Sequence, residues 1–189
     1  MPGPVVTRGE RVTFRTVERE DATFRQRAAA DPRVRHPLGV AQHRNEREAE
    51  GLVEAMDEGS DRLAFVVCLD DADAPRGNPG EDDTTPIGLV HAYDVDGERA
   101  HLAYWLTPEH HGEGYGREAA ELLVDRTFRV TSVHGVGAGA FAFNEASRRI
   151  LESLGFTEEY RHREAEYVNG AYRDFVQYGL LRREWAADP

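Results

Sequence analysis

Lysine is absent: all 23 basic residues of this chain are arginine. Cysteine is nearly so, and the lone Cys68 can form no internal disulfide. Its place in the apolar run from Leu63 to Leu69 marks it as a small buried hydrophobe, not a nucleophile or metal ligand. No apolar run approaches the roughly 20 residues that a spanning helix needs. Met1 to Arg11 holds no apolar block of the kind that opens a secretory signal. These absences point to a cytoplasmic protein with no membrane partner. Basic stretches with interleaved aromatics are missing as well, and the net charge of -12 repels phosphate backbones, so nucleic acid is excluded as a partner. The histidines lack ligand spacing with cysteine or carboxylates, so no metal is expected.

The 189 residues suffice for one well-buried core and leave little room for a second unit, so residues 1–189 read as a single domain with a core over about 11–183. Residues 11–17 alternate like a strand. Helices are expected within 20–30 and 45–57, separated by Pro32 and Pro37. Residues 62–69 read as a buried strand. Residues 70–86, rich in Asp, Gly and Pro, read as a flexible acidic loop. A hairpin follows over 87–93 and 99–107, turning at Asp96-Gly97. Residues 116–130 form a helix presenting Ala120, Leu123, Val124, Thr127 and Phe128 on one face. A strand over 133–143 contains Gly135, Gly137 and Gly139, which implies bending or a close approach by backbone or ligand. Asn144 caps a short helix that stops at Gly155. A closing hairpin spans 156–167 and 172–181 around Asn169-Gly170. The class is α/β: a mixed, mostly antiparallel central sheet of about six to seven strands flanked by about four helices.

Between the first hairpin and its helix stands His111-Gly112-Glu113-Gly114-Tyr115-Gly116. Alternate glycines let backbone approach a ligand, and the first amides of the helix carry partial positive charge, which suits a pyrophosphate. By itself the pattern is weak and better suits a plain strand-to-helix turn. It lacks the Lys and Ser or Thr of a Walker loop and the spacing of a dinucleotide fingerprint.

The run from Arg99 to Ala119, then Asn144-Glu145-Ala146-Ser147 and Leu154-Gly155-Phe156, resembles two successive motifs of the GNAT acyltransferase superfamily. Residues 166–174 resemble the closing hairpin of its branch that acetylates ribosomal-protein N-termini. The resemblance covers about Arg11 to Arg183. It implies an acetyl-CoA cleft where two central strands splay, with pyrophosphate on the amides of Gly112 to Arg117 and pantetheine beside Trp105 and Leu106. Thr107, His111, Glu113, Tyr115, Gly116 and Asn144 complete the expected donor site. His111 departs from the usual Gln or Arg, which puts an accessory contact in doubt.

Acetyl transfer needs a neutral amine, a polarised carbonyl and a proton for the thiolate. The resemblance makes Glu166 the base and Ser147 the acid. His101 is the competing base, since a histidine side chain has a reference pKa of about 6.5, which suits the work. Tyr115 and Tyr172 are weaker acid candidates. The expected acceptor is a protein α-amine, such as a ribosomal-protein N-terminus. Competing readings are a small-molecule amine acetyltransferase and a catalytically silent acetyl-CoA-binding module. A monomer and a homodimer both fit.

The acidity resembles that of a salt-adapted proteome. Screening of mutual carboxylate repulsion should then raise the melting temperature as salt is added. Thermal melts that do not move with salt would overturn this.

Overall fold

The computed structural model describes residues 2–40, 43, 45–57, 61–80 and 82–185. Met1 and residues 186–189, the two ends of the expected domain, lie outside the described residues. The strands are β1 (Val5–Arg8), β2 (Thr13–Thr16), β3 (Arg62–Asp70), β4 (Thr84–Tyr93), β5 (Arg99–Leu106), β6 (Gly135–Phe141), β7 (Thr157–Val168) and β8 (Ala171–Leu181). The helices are α1 (Ala22–Ala30), α2 (Pro32–Arg35), α3 (Glu46–Asp57), α4 (Tyr115–Val130), α5 (Glu145–Ser153) and α6 (Arg182–Trp185). Among the described residues there are eight strands, slightly more than the expected six to seven, and six helices against about four. The additions are the four-residue β1, α2 and α6, each too short to show a period. Pro32 starts α2 instead of merely breaking a helix, because its missing N–H costs nothing at the first position.

The sheet runs β1-β2-β3-β4-β5-β6-β8-β7. Its pairs are antiparallel except β5 with β6. That parallel ladder joins only Arg99–Leu102 to Gly135–Ala138. Beyond it β5 continues to Leu106 and β6 to Phe141 without pairing to each other, so a gap opens between them.

Ala100, Leu102 and Leu106 of β5, Val136 and Ala138 of β6 and Tyr178 of β8 form one buried core with Leu123, Val124 and Phe128 of α4 and Leu151 of α5. Burying each leucine, valine or phenylalanine of this set contributes about 1.5 to 3 kcal/mol. Helices α1 and α3 meet at Ala22, Ala49 and Val53, and Phe24 of α1 stacks on Trp105 at 5.6 Å between centroids. The sheet glycines are crossed by the protein's own side chains. A methyl at Gly139 would collide with the Phe175 ring, and one at Gly179 with the Glu159 carboxylate. Glu159 thereby reaches Arg99, whose Nη1 lies 2.6 Å from its Oε2.

The stretch expected to be a solvated loop over 70–86 is corrected at both ends, where Asp70 closes β3 and Thr84 opens β4. Its middle is tied down by Arg15, whose side chain is fully buried. All five N–H donors of that guanidinium are used. Nε and Nη2 bind Asp70 at 3.0 and 2.9 Å, Nη1 binds the carbonyls of Gly3 and Gly77, and Nη2 also binds that of Pro75. Burial opposes ionisation of Asp70, but hydrogen bonds from Arg15, Thr84 and Thr13 outweigh it and hold the carboxyl below its usual range. A carboxyl lowered by folding stabilises above its unfolded value, near 3.9, and loses that contribution as pH falls through the folded value. Asp70→Asn should therefore cost about 3 to 5 kcal/mol at pH 7, by stranding a buried cation. Denaturant melts should show that difference shrinking below about pH 4.

Candidate functional site

The loop before α4 owes its shape to two left-handed residues, Gly112 at φ 84° and Gly114 at φ 86°. Gly114 caps α4 with no side-chain hydrogen bond, and the helical ladder begins at Glu118 N, 3.2 Å from Gly114 O. The amides of Tyr115, Gly116 and Arg117 are thus the orphan donors of a 16-residue helix, aimed where an anion can lie. Arg117 turns its side chain to Glu121 at 2.8 Å, so it offers the loop an amide, not its cation.

Arg11, which the sequence reading passed over, braces this loop. Its Nη1 donates to Glu113 O at 2.8 Å and its Nε to Glu118 Oε2 at 3.1 Å, while the guanidinium lies 4.9 Å from the Tyr115 ring centre. The Arg11 and Val12 amides both donate to Glu118 Oε1. Burial opposes ionisation of Glu118, but these donors win and keep its carboxyl below the usual range. His111 turns back to Leu106, its Nε2 lying 3.0 Å from the carbonyl oxygen, and is exposed otherwise. It braces the loop from the strand side. Thr107 Oγ1 pairs with His110 Nδ1 at 2.8 Å.

Alternation along β5 places neighbouring side chains on opposite faces of the sheet. Trp105 faces α1, Leu106 enters the core, and the β6-facing backbone edge of residues 103–106 is left unpaired at the gap. Tyr104 faces α5, where its hydroxyl lies 2.9 Å from Ser147 Oγ. Burial pushes the Tyr104 phenol up to about 12, with the Ser147 bond pulling the other way, so it is protonated at neutral pH. Asn144 caps α5 by accepting from Ser147 N at 3.2 Å, which fixes the serine's backbone beneath the gap. Strand period alone could have paired Tyr104 with the α5 side, but not with Ser147.

Glu166, on β7, is exposed and sits opposite Arg173 of β8, sharing a sheet face with Phe175 and Phe141. A methyl on Gly39, in the turn after α2, would come 3.2 Å from both Glu166 Oε2 and the Phe141 ring. The glutamate therefore lies where that turn meets the open end of the gap. Ser147 lies on the opposite face, so the two expected catalytic groups flank the gap and do not touch across one surface. His101 stands elsewhere. It is paired opposite Gly137 in the closed part of the β5–β6 ladder and stacks on Tyr93 at 5.3 Å. Cys68 is buried, and desolvation pushes its thiol up to about 12, so it supplies no thiolate. Tyr115 packs at the loop, while Tyr172 pairs edge-on with Tyr167 at the exposed hairpin tip. Beneath α1 and α3, a recess of about 60 Å³ is lined by Ala29, Val34, Val40, Leu52 and Trp105, with Arg25 and Gln26 as polar members. Among the described residues no helix is long and apolar enough to cross a membrane.

Residues 11–157 match the family model of the acetyltransferase (GNAT) domain. A Bacillus subtilis protein named "Putative ribosomal N-acetyltransferase YdaF" is 33% identical over 108 residues, 56% of this chain, and the match spans 59% of that relative's length. "Uncharacterized N-acetyltransferase p20" of Bacillus licheniformis is 26% identical over 94% of this chain and 96% of its own. A crystal structure of spermidine N-acetyltransferase from Vibrio cholerae, in complex with CoA and spermine, superposes with a TM-score of 0.80. That likeness covers 93% of this chain and 98% of the other at 22% identity, which shows a shared fold.

Gly114→Ala puts a side chain into the left-handed region and brings its Cβ to 3.0 Å from Arg11 Nη2. The strain of about 1 to 2 kcal/mol should lower the melting temperature by about 2 to 8 °C, and a loop that relaxes to relieve it should bind coenzyme A roughly tenfold more weakly by calorimetry. Unchanged affinity would remove the loop from the binding site.

Proposed function

Because the chain belongs to the GNAT acetyltransferase family, we propose that it acetylates the α-amine of a polypeptide N-terminus, with acetyl-CoA as donor. The observation that carries the choice of acceptor is the recess beside Trp105, which is apolar and has a guanidinium but no carboxylate among its described lining residues. A short N-terminal side chain suits such walls. A polyamine, with several cations and no apolar side chain, needs carboxylates facing it.

The amides of Gly112 to Arg117 hold the pyrophosphate, and the unpaired backbone edges of β5 and β6 receive the pantetheine arm. Glu166, on the acceptor face, binds the amine and takes its proton. The free α-amine has a pKa of about 7.7 to 8.0, so a usable fraction is neutral at pH 7 and the demand on a carboxylate base is modest. The amine nitrogen attacks the thioester carbonyl carbon, a C–N bond forms, the C–S bond breaks, and the sulfur leaves as thiolate. Ser147 meets that sulfur from the α5 side. The Tyr104 hydroxyl, protonated and 2.9 Å from Ser147 Oγ, can donate to it as the serine's own proton passes to the sulfur. Transfer is direct, with no acyl-enzyme.

The name of the Bacillus subtilis relative supports a ribosomal-protein N-terminus as acceptor. The second reading is a polyamine, favoured by the net charge of -12 and by the name of the Vibrio cholerae enzyme of like fold. Incubation with acetyl-CoA and a panel of N-terminal peptides, polyamines and amino acids, followed by mass spectrometry, should place the acetyl group on peptide α-amines. Glu166→Gln should lower kcat by about 10²- to 10⁴-fold. Acetylation of polyamines with every peptide untouched would overturn the choice of acceptor.

A further inference from the structure

We propose that Asp174 is the positioning residue that sets Glu166 at the gap, an inference that rests on the reading of Glu166 as the base. Strand β7 is the sheet edge, and its residues from Thr157 to Tyr167 are all exposed, so packing does not place Glu166. Its place is set by how β7 pairs with β8.

That pairing slips just before the glutamate. His162 stands opposite Phe175 and Glu166 opposite Arg173, so Arg163, Glu164 and Ala165 together face the single residue Asp174. The resulting bulge forces Glu164 into the left-handed region at φ 50°, which a glutamate adopts only when held there. Asp174 holds it: Oδ1 accepts from Glu164 N at 3.0 Å, and Oδ2 lies 3.7 Å from Arg161 Nη1. Its own carbonyl accepts from Ala142 N at 2.9 Å, in the turn that leads from β6 to Asn144 and Ser147. One residue of β8 therefore grips the bulge that carries Glu166 and the turn that carries Ser147. Without the Asp174 carboxylate, Glu164 relaxes toward ordinary strand geometry, the bulge migrates, and Glu166 moves off the gap.

A displacement of about 1 Å at a reacting group can cost on the order of 10²-fold, so Asp174→Ala should lower kcat by about 10- to 100-fold. The KM for acetyl-CoA should stay within about twofold, because the donor loop lies on another element. Asp174→Asn keeps an oxygen for the Glu164 amide and should recover most of kcat. Added to Glu166→Gln, Asp174→Ala should cost nothing further, since there is no longer a base to misplace. Should Asp174→Ala fail to fold, Asp174→Ser, whose hydroxyl is too short to reach the amide, replaces it in the same cycle.

Equal losses from Asp174→Ala in the wild-type and Glu166→Gln backgrounds would overturn the proposal. So would an unchanged kcat in Asp174→Ala alongside an impaired Glu166→Gln. An unchanged kcat in Glu166→Gln alone would instead refute the base, and this inference with it.

Discussion

The four-residue ladder between β5 and β6 is the constraint on which the rest of the site depends. It is the sheet's parallel pair, and α4 makes its crossover, so the helix N-terminus stands at the end where β5 finishes. Had the ladder continued, the backbone edges of residues 103–106 and 139–141 would bond each other and close the sheet. Because it stops, two strand edges that do not pair with each other face one another, and the orphan amides of α4 open beside them. The proposed anion site and the proposed slot for a thioester are thus two results of one interrupted pairing.

The interruption also separates the chemistry by face. Tyr104 and Ser147 approach the gap from the side of α4 and α5, whereas Glu166, Phe141, Trp105 and the recess beneath α1 and α3 lie on the other. In the proposed reaction an acceptor on one side and a leaving sulfur on the other need not compete for the same groups. Burial on the α5 side keeps the Tyr104 phenol protonated, while exposure on the acceptor side leaves Glu166 in contact with water.

Local signals in the sequence placed most of the elements. The apolar stripe of Leu123, Val124, Thr127 and Phe128 marked α4, Asn144 marked the start of α5, and Asn169-Gly170, both at positive φ, marked the closing turn. The turn before α4 was legible because Gly112 and Gly114 take up left-handed conformations there. What escaped depends on partners far along the chain. Arg15 looks like any strand arginine until Gly3, Asp70, Pro75 and Gly77 surround it, and Arg11 gives no sign of the loop it braces more than a hundred residues away. The glycines of β6 suggested a ligand or a bend, yet Phe175 lies across Gly139, because residues on a neighbouring strand are invisible to a period of two. Glu166 could be named from resemblance, but its placement comes from a bulge whose cause, Asp174, sits on another strand.

The sheet order carries a consequence for the life of the chain. Strand β8 follows every other strand in sequence but lies inside the sheet, between β6 and β7. During synthesis β6 is therefore made with one edge exposed beyond its short ladder to β5, and β7 follows with no neighbour to join. Both wait until residues 171–181 have left the ribosome. The core under β6, built on Val136, Ala138 and Leu151, closes only at that moment. A nascent chain of this protein is thus open at its centre until β8 has been made, and its unpaired edges are sites for misassociation or chaperone capture in that interval.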